Sequence, residues 1–263
     1  MTTPLNGSVV KAFGILNLFH ASRAEITAGY VQQNLGMNFI TAHRFLRTLE
    51  SVGALVAVDK GRYRLGYALV DLSQKATEET NLAAILQPQL IGVTKDIQEA
   101  SMATGFDGQM VVCIAKAASP HPLFVDIRVG SKLEAYCTAH GKLWLAFMDE
   151  AKLDQYLDAV VLKQATPASI VDRDKLLDEL REVRRTKTAY NYEERDAGIV
   201  AVAVPVLGRT GKLICGLSVF GPPHRLNEAT LSTAADRLRS AAQAVISGLY
   251  GSPSPDIRAA DAD

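Results

Sequence analysis

Cys137 and His140 stand three residues apart, and their side chains could support reactive chemistry. A thiol and an imidazole at this spacing could act as a nucleophile and its base, or as two ligands of a metal ion. A catalytic thiol needs an oriented base, and a metal site needs three or four ligands, which would have to include His121, Glu193 or Glu194. We therefore expect no catalytic residue, no metal and no cofactor, and a structural or ligand-lining role for the pair.

Two segments that combine glycine with lysine resemble phosphate-binding loops. They are Gly-Arg-Thr-Gly-Lys at residues 208–212 and Gly-Lys at residues 141–142. A phosphate-binding loop has a glycine, four intervening residues and then Gly-Lys-Ser/Thr directly before a helix, so that backbone amides surround the phosphate. Neither segment has this spacing. The sequence therefore predicts no nucleotide binding.

Basic residues concentrate in one stretch of the chain. From Asn38 to Arg64 there are five lysines and arginines against two acidic residues, whereas the whole chain holds 28 of each sign. Arginine can hydrogen-bond to guanine edges, and asparagine and histidine can contact bases or hold neighbouring side chains in place. An apolar side chain can touch a thymine methyl group. Basic residues beside the groove bind phosphates and position the protein. This mixture predicts contacts with double-stranded DNA by Asn38, Phe39, Ile40, Thr41, His43, Arg44, Arg47, Lys60, Arg62 and Arg64.

Local patterns predict the helices that position these residues. A helix over Glu25–Leu35, a turn at Gly36 and Met37, and a second helix over Asn38–Val52 form a helix-turn-helix. Asn38 is a suitable N-cap for the second helix. Apolar residues at spacings of three and four predict the buried side of that helix: Ala42, Phe45, Leu46 and Leu49. Its opposite side is left free for DNA.

The flanking segments complete the predicted DNA-binding domain. Leu55–Leu65 predicts a two-stranded hairpin with its turn at Asp59–Gly61. An amphipathic helix over Val9–Ala21 precedes the helix-turn-helix, with these side chains predicted to point inward: Val10, Phe13, Ile15, Leu16 and Phe19. This order of helices followed by a basic hairpin predicts a winged helix-turn-helix.

The rest of the chain predicts a second domain of α+β class. With 263 residues and 48% apolar residues, the chain can form two modest cores. Strands separated by Gly and Pro alternate with helices, and two nearly continuous apolar strands meet at the hairpin of residues 208–211. The predicted strands are 101–104, 110–115, 122–127, 199–207 and 213–220, and the predicted helices are 82–100, 141–148, 150–157, 173–187 and 227–249. This predicts an antiparallel sheet with helices.

Several stretches resemble the IclR family of bacterial transcriptional regulators, from about Ser8 to Gly251. The segment LGMNFITAHRFLRTLE (35–50) is similar to the family's recognition helix, and GRYRLG (61–66) is similar to its wing. RVGSK (128–132), TAHGK (138–142), Glu193-Glu194 followed by Gly198, and LSVFGP (217–222) resemble signature stretches of its effector domain. The order and spacing of these stretches together make the resemblance specific.

The resemblance implies a GAF-like effector domain. It also implies that the ligand of this domain lies between three elements, which are the segment before the helix near Gly141, the Glu-Glu loop and a strand. Carried onto this chain, the effector-binding residues are Cys137, Thr138, Ala139, His140, Tyr192, Glu193, Ala201, Ser218 and Phe220. His140 and Phe220 replace residues that are commonly small, Tyr192 stands where Asp is common, and Ala201 replaces a frequent Cys. These departures imply a ligand with an apolar body and a carboxylate, the latter near His140, Ser218 and the helix N-terminus. In the recognition helix, Phe39 and Ile40 replace a frequent Lys-Ser pair, which implies a different operator.

Together these patterns predict four parts of the chain. Residues 1–66 form the winged helix-turn-helix, 67–81 a linker helix, 82–250 an effector-binding and oligomerisation domain, and 251–263 a disordered tail. The expected partners are a double-stranded DNA operator, a small-molecule effector, and further copies of the chain in a homodimer or homotetramer. The expected protein is a transcriptional regulator and not an enzyme.

The three cysteines form no CxxC pair, the N-terminus lacks the pattern of a signal peptide, and no run reaches the ~18 apolar residues of a membrane helix. A cytoplasmic protein without a membrane partner is therefore expected. The alternative is a small-molecule-binding or hydrolytic enzyme that uses Cys137 and His140, with the N-terminal domain as a protein-interaction module. That alternative leaves the basic wing without a purpose.

Overall fold

The computed structural model describes residues 5–20, 22–79, 81–121 and 127–251, in two compact units that comprise Met1–Asn81 and Leu82–Asp263. Most of the strand predicted at 122–127 and nearly all of the predicted tail lie outside the described residues. Each unit has its own buried core.

The N-terminal unit has the order predicted for a winged helix-turn-helix. Its elements are α1 (Gly7–Leu16), β1 (Ile26–Thr27), α2 (Ala28–Leu35), α3 (Phe39–Ser51), β2 (Leu55–Asp59), β3 (Arg62–Leu65) and α4 (Ala68–Glu79). In the described residues, β3 lies between β1 and β2 in a small antiparallel sheet. The strand β1 was not predicted, because two residues carry no periodic signal.

Local chemistry explains where α2 and α3 begin and end. The Thr27 hydroxyl accepts a hydrogen bond from the amide of Tyr30 at the start of α2, and Gly36 ends that helix with a positive φ of 64°. The Asn38 side chain accepts from the amide of Thr41 at 2.8 Å, which confirms the predicted cap of α3. Both ends of the turn are thus encoded within a few residues.

A close backbone approach joins the wing to the rest of this unit. The amide of Gly66 donates to the carbonyl of Ala54 at 2.8 Å. A Cβ at Gly66 would lie 2.1 Å from the carbonyl oxygen of Gly53, which no side chain could tolerate. Glycine is therefore required where the wing ends.

The first helix differs from its prediction. It ends at Leu16, where Val9–Ala21 was predicted, and its buried residue is Ile15. The side chains of Val10 and Phe13, predicted to point inward, are exposed, and Phe13 reaches 62%. An amphipathic pattern identifies an apolar side of a helix, but not whether the same chain covers that side.

The C-terminal unit is an antiparallel sheet with helices on both faces. Its elements are α5 (Leu82–Ile97), β4 (Ala100–Phe106), β5 (Met110–Ala117), β6 (Lys132–Glu134), α6 (Ala139–Ala146), α7 (Glu150–Ala159), α8 (Arg173–Thr186), β7 (Ala189–Tyr192), β8 (Val200–Leu207), β9 (Leu213–Gly221) and α9 (Glu228–Tyr250). Within the described ranges the sheet order is β6-β5-β4-β9-β8-β7. The α+β class is confirmed.

Alternation along the central strands divides this unit into two cores. On β8, Val202 and Val204 face the core that includes α5 and α9, whereas Ala201 and Ala203 face the core that includes α6 and α8. The buried apolar side chains of α9 belong to the first of these cores, and Leu238 there is fully buried.

The short edge strands and the start of α6 were not predicted correctly. The strands β6 and β7 have three and four residues and were missed. Helix α6 begins at Ala139, two residues before the predicted start, with the Thr138 hydroxyl accepting from the amide of Gly141. His140 therefore lies inside the first turn of α6 and not before the helix. In the described part of the chain, no helix is long and apolar enough to cross a membrane.

Candidate DNA-binding surface and effector cavity

The outer side of α3 presents the side chains that were predicted to contact DNA. Ile40 is 81% exposed and Phe39 53% exposed, next to the exposed His43 and Arg44. Apolar side chains at this position could contact thymine methyl groups in a major groove. Asn38 and Thr41 have a structural role at this helix end, since they form its cap.

The predicted basic residues differ in their availability. Arg47 pairs with Glu50 at 3.0 Å, and Arg62 pairs with Glu25 at 3.3 Å and with Asp59 at 3.4 Å. Among the described residues, no ion pair involves the exposed side chains of Arg44, Lys60 or Arg64. These three side chains can reach DNA without first breaking an internal contact.

A cavity lies in the C-terminal unit beside the first turn of α6. Its volume is about 30 Å³, room for about two water molecules. Its lining combines apolar side chains with polar and charged ones. The lining consists of Met102, Ile127, Leu133, Thr138, Ala139, His140, Asn191, Arg195, Asp196, Ile199, Ala201 and Phe220.

Five of the predicted effector-binding residues line this cavity: Thr138, Ala139, His140, Ala201 and Phe220. The other four do not belong to the lining: Cys137, Tyr192, Glu193 and Ser218. The Tyr192 side chain is 50% exposed and stacks on Tyr190 with ring centroids 5.9 Å apart. Ser218 is fully buried on β9, between Met102 and Ala203 of the neighbouring strands.

His140 is buried, at 4% exposure, and neither ring nitrogen has a hydrogen-bond partner among the residues that the structure describes. Burial, with a contribution from the positive charge of Arg195, lowers the pKa of His140 to about 3. The imidazole is therefore neutral at physiological pH, with one donor and one acceptor nitrogen. A carboxylate near His140 would therefore meet a neutral imidazole and not a cation.

Arg195 supplies the positive charge of the cavity and was not among the residues predicted from the sequence. Its guanidinium donates to Glu134 at 2.7 Å and to Asp196 at 2.6 Å. Burial opposes the charge on Arg195, but hydrogen bonds to these two carboxylates outweigh burial and raise its pKa. Its position directly after Glu193-Glu194 was the available signal, because that loop was already assigned to the effector site.

Glu193 shapes the loop that carries Arg195. Its carboxylate accepts a hydrogen bond from the amide of Gly198 at 2.6 Å, and its own φ is +61°, a strained value for a residue with a side chain. The Glu193 side chain is thus engaged within the loop and does not line the cavity.

A buried ion pair joins α6 to the same loop. Lys142 is 1% exposed, and its Nζ lies 2.6 Å from Glu194 and 3.0 Å from Glu179. Burial raises the pKa of Glu194, and Lys142 offsets this only in part. One oxygen of Glu194 has no partner within the described ranges. Two walls of the cavity are therefore held together by charges that lie out of water.

The geometry gives no support to a Cys-His catalytic pair. Burial, together with the nearby carboxylate of Glu134, raises the pKa of Cys137 to about 12, so its thiol stays protonated and unreactive. His140 forms no hydrogen bond that would orient it as a base, as far as the described residues show. In the same residues there is no group of three or more His, Cys, Asp or Glu side chains that could hold a metal ion.

Comparison with known proteins identifies the family. Residues 8–59 match the IclR helix-turn-helix domain, and residues 74–247 match the C-terminal domain of the bacterial transcriptional regulator IclR. The transcriptional regulator KdgR of Escherichia coli K12 is 30% identical over 239 residues, which cover 90% of each chain. The relatives found carry the names of transcriptional regulators and not of enzymes.

Comparison with solved structures supports the same family. The Thermotoga maritima IclR structure matches with a TM-score of 0.62 at 28% identity, over 94% of this chain and 99% of that chain. The inducer-binding domain of an Acinetobacter PobR double mutant, solved with 3-hydroxybenzoic acid, matches with a TM-score of 0.59 at 26% identity, over 64% of this chain and 98% of that chain. The chain belongs to the IclR family of bacterial transcriptional regulators, with a helix-turn-helix DNA-binding domain and a C-terminal effector-binding domain.

Proposed function

We propose that this regulator binds a DNA operator through α3 and the wing, and that a small organic acid in the cavity of the C-terminal unit controls that binding. The observation that carries the effector proposal is a buried imidazole in the cavity lining. Neither ring nitrogen of His140 has a hydrogen-bond partner among the described residues. Buried polar groups are normally hydrogen-bonded, so a ligand that completes these bonds would bind favourably.

The composition of the cavity supports an acid with an apolar body. Met102, Ile199 and Phe220 provide apolar contacts, whereas Arg195 and the first turn of α6 favour a negative charge. The PobR relative was solved with an aromatic acid, 3-hydroxybenzoic acid. A cavity that holds benzene has about 150 Å³, so side chains must move apart before this one accepts a ring.

The DNA-binding proposal rests on the exposed face of α3. Ile40 and Phe39 suit thymine methyl groups, and the unpaired Arg44 suits a guanine edge. Lys60 and Arg64 of the wing suit phosphates. All ten residues predicted from the sequence remain the candidates, with Arg47 and Arg62 requiring rearrangement of their ion pairs.

We further propose that the chain acts as a homo-oligomer in the cytoplasm, at least as a dimer. The exposed side of α1 carries Val9, Val10 and Phe13, with exposed fractions of 54%, 42% and 62%. A second copy of the chain would remove these apolar side chains from water. A symmetric dimer also matches the two half-sites that regulators of this type read. Sedimentation of the Phe13→Ser variant should show a shift towards the monomer.

The DNA contacts are tested by a gel shift on the chain's own upstream region with the Arg44→Ala variant. We expect a loss of about 1 to 3 kcal/mol of specific binding free energy if Arg44 contacts a base. Arg181→Ala is the matched control, because Arg181 is also an exposed arginine on a helix but belongs to the C-terminal unit. Equal affinity of Arg44→Ala and the parent protein would contradict the proposed contact.

The effector is tested by a thermal-shift screen of benzoate, its hydroxylated derivatives and straight-chain monocarboxylates, each compared with its primary amide. We expect at least one acid to raise the melting temperature of the C-terminal unit and to change operator affinity. His140→Ala should reduce that stabilisation. If no acid in the panel binds, the proposed class of effector is wrong.

A further inference from the structure

Arg195 carries the positive charge of the cavity, but internal carboxylates already share its guanidinium. Its Nε donates to Glu134 at 2.7 Å, and one terminal nitrogen donates to Asp196 at 2.6 Å. Asp196 lines the cavity, whereas Glu134, at the end of β6, does not. The three charged groups together carry a net charge of about −1, so a further carboxylate cannot simply be added.

The two internal carboxylates differ from a bound ligand in their access to water. The side chains of Glu134 and Asp196 are 42% and 38% exposed, so either can turn into solvent at low cost. An acid inside the cavity would instead lie beside His140, which is buried and whose ring nitrogens have no partner among the described residues. A charge-assisted hydrogen bond is stronger where water is excluded. The guanidinium would therefore bind the carboxylate of the ligand more strongly than it binds a partly hydrated internal carboxylate.

We propose that Arg195 recognises the carboxylate of the effector, and that Glu134 is an internal competitor for Arg195 that limits effector affinity. This inference rests on the proposed function of the cavity and assigns its charge specificity to one residue. It also makes Glu134, which lies 61 positions away from Arg195 in the sequence, a determinant of sensitivity to the effector.

The proposal predicts opposite effects of two conservative substitutions. Arg195→Gln removes the cation, so acid affinity should fall about 10- to 100-fold and the preference for acid over amide should disappear. Glu134→Gln removes the competing charge, so acid affinity should rise about two- to fivefold, while amide affinity stays unchanged. A variant that merely damages the fold cannot tighten binding, so the second substitution separates competition from misfolding.

Isothermal titration calorimetry on the full-length protein would test both effects, with the best-binding acid of the panel above and its primary amide. Asp107→Asn is the matched control, because Asp107 is a partly exposed carboxylate of the same unit that pairs with Lys132. That variant should bind both compounds as the parent protein does. A thermal melt of each variant without added compound confirms that it is folded.

The possible outcomes separate the two levels of the proposal. If no acid binds the parent protein, the proposed function fails and the inference fails with it. If acids bind but Arg195→Gln keeps the preference for acid over amide, the cavity function stands and the assignment to Arg195 is wrong. Unchanged or weaker acid binding by Glu134→Gln would overturn the competition. Tighter binding of amides than of acids by the parent would show that Asp196, and not Arg195, contacts the polar group of the ligand.

Discussion

Replacement of Lys142 by Met should destabilise the C-terminal unit strongly, because it leaves a carboxylate buried without its cation. The side chain of Glu194 is 6% exposed, and one of its oxygens already lacks a partner among the described residues. Glu179, the second partner of Lys142, is 35% exposed and can turn towards water. The penalty therefore falls mainly on Glu194.

Removal of one member of a buried ion pair costs about 3 to 5 kcal/mol. For a domain of this size each kcal/mol lowers the melting temperature by about 2 to 4 °C, so Lys142→Met should lower it by roughly 6 to 20 °C. The double variant Lys142→Met with Glu194→Gln should recover much of this loss, because it buries no charge. Glu194→Gln alone should have the mildest effect, since Lys142 keeps Glu179 as a partner.

The loss should also depend on pH with a defined sign. The pKa of Glu194 in the folded protein lies above its unfolded value, so the folded state binds the proton more tightly and gains stability as the pH falls. Without Lys142 this pKa rises further. The difference in melting temperature between Lys142→Met and the parent should therefore be smaller at about pH 5.5 than at about pH 8.

Differential scanning calorimetry at both pH values would measure this difference. Melting of Lys142→Met within about 1 °C of the parent at about pH 8 would refute the account of a buried charge that Lys142 stabilises. A penalty that grows as the pH falls would refute the assignment to Glu194.

Three further outcomes are expected. Leu238→Ala removes a fully buried side chain from the core under α9, and calorimetry should show a decrease of roughly 4 to 20 °C in the melting temperature of the C-terminal unit. Gly66→Ala should prevent the wing from closing and abolish operator binding in a gel shift, whereas Gly7→Ala, whose added methyl group meets nothing within 4 Å, should not. Lys60→Ala should weaken binding to all DNA sequences alike and lower the slope of log affinity against log salt by about one unit.

The helix-turn-helix could be predicted from the sequence because its signals are local. The cap at Asn38, the positive φ at Gly36 and the apolar stripe of α3 each depend on residues within one or two turns. The same holds for the hairpin of β8 and β9 and for α9, whose long apolar patterns determine both type and approximate length. Strands as short as β1, β6 and β7 carry too few residues to show a period.

The site was predicted only in part. Whether a residue lines the cavity, and whether its side chain is protonated, depends on the residues that surround it in the folded protein. His140 was identified from its position, but its neutral state follows from burial, which no local pattern encodes. The exposure of Val10 and Phe13 likewise depends on whether another part of the chain covers α1.

The family, the winged helix-turn-helix, the α+β class and five of the residues that line the cavity were predicted correctly from the sequence. That Arg195 is the cation of that cavity and that Glu134 and Asp196 share it became clear from the folded structure. The difference lies in the distance along the chain over which each effect acts. Helix caps and apolar periods act between neighbours in sequence, whereas charge pairing and desolvation act between groups that only folding brings together.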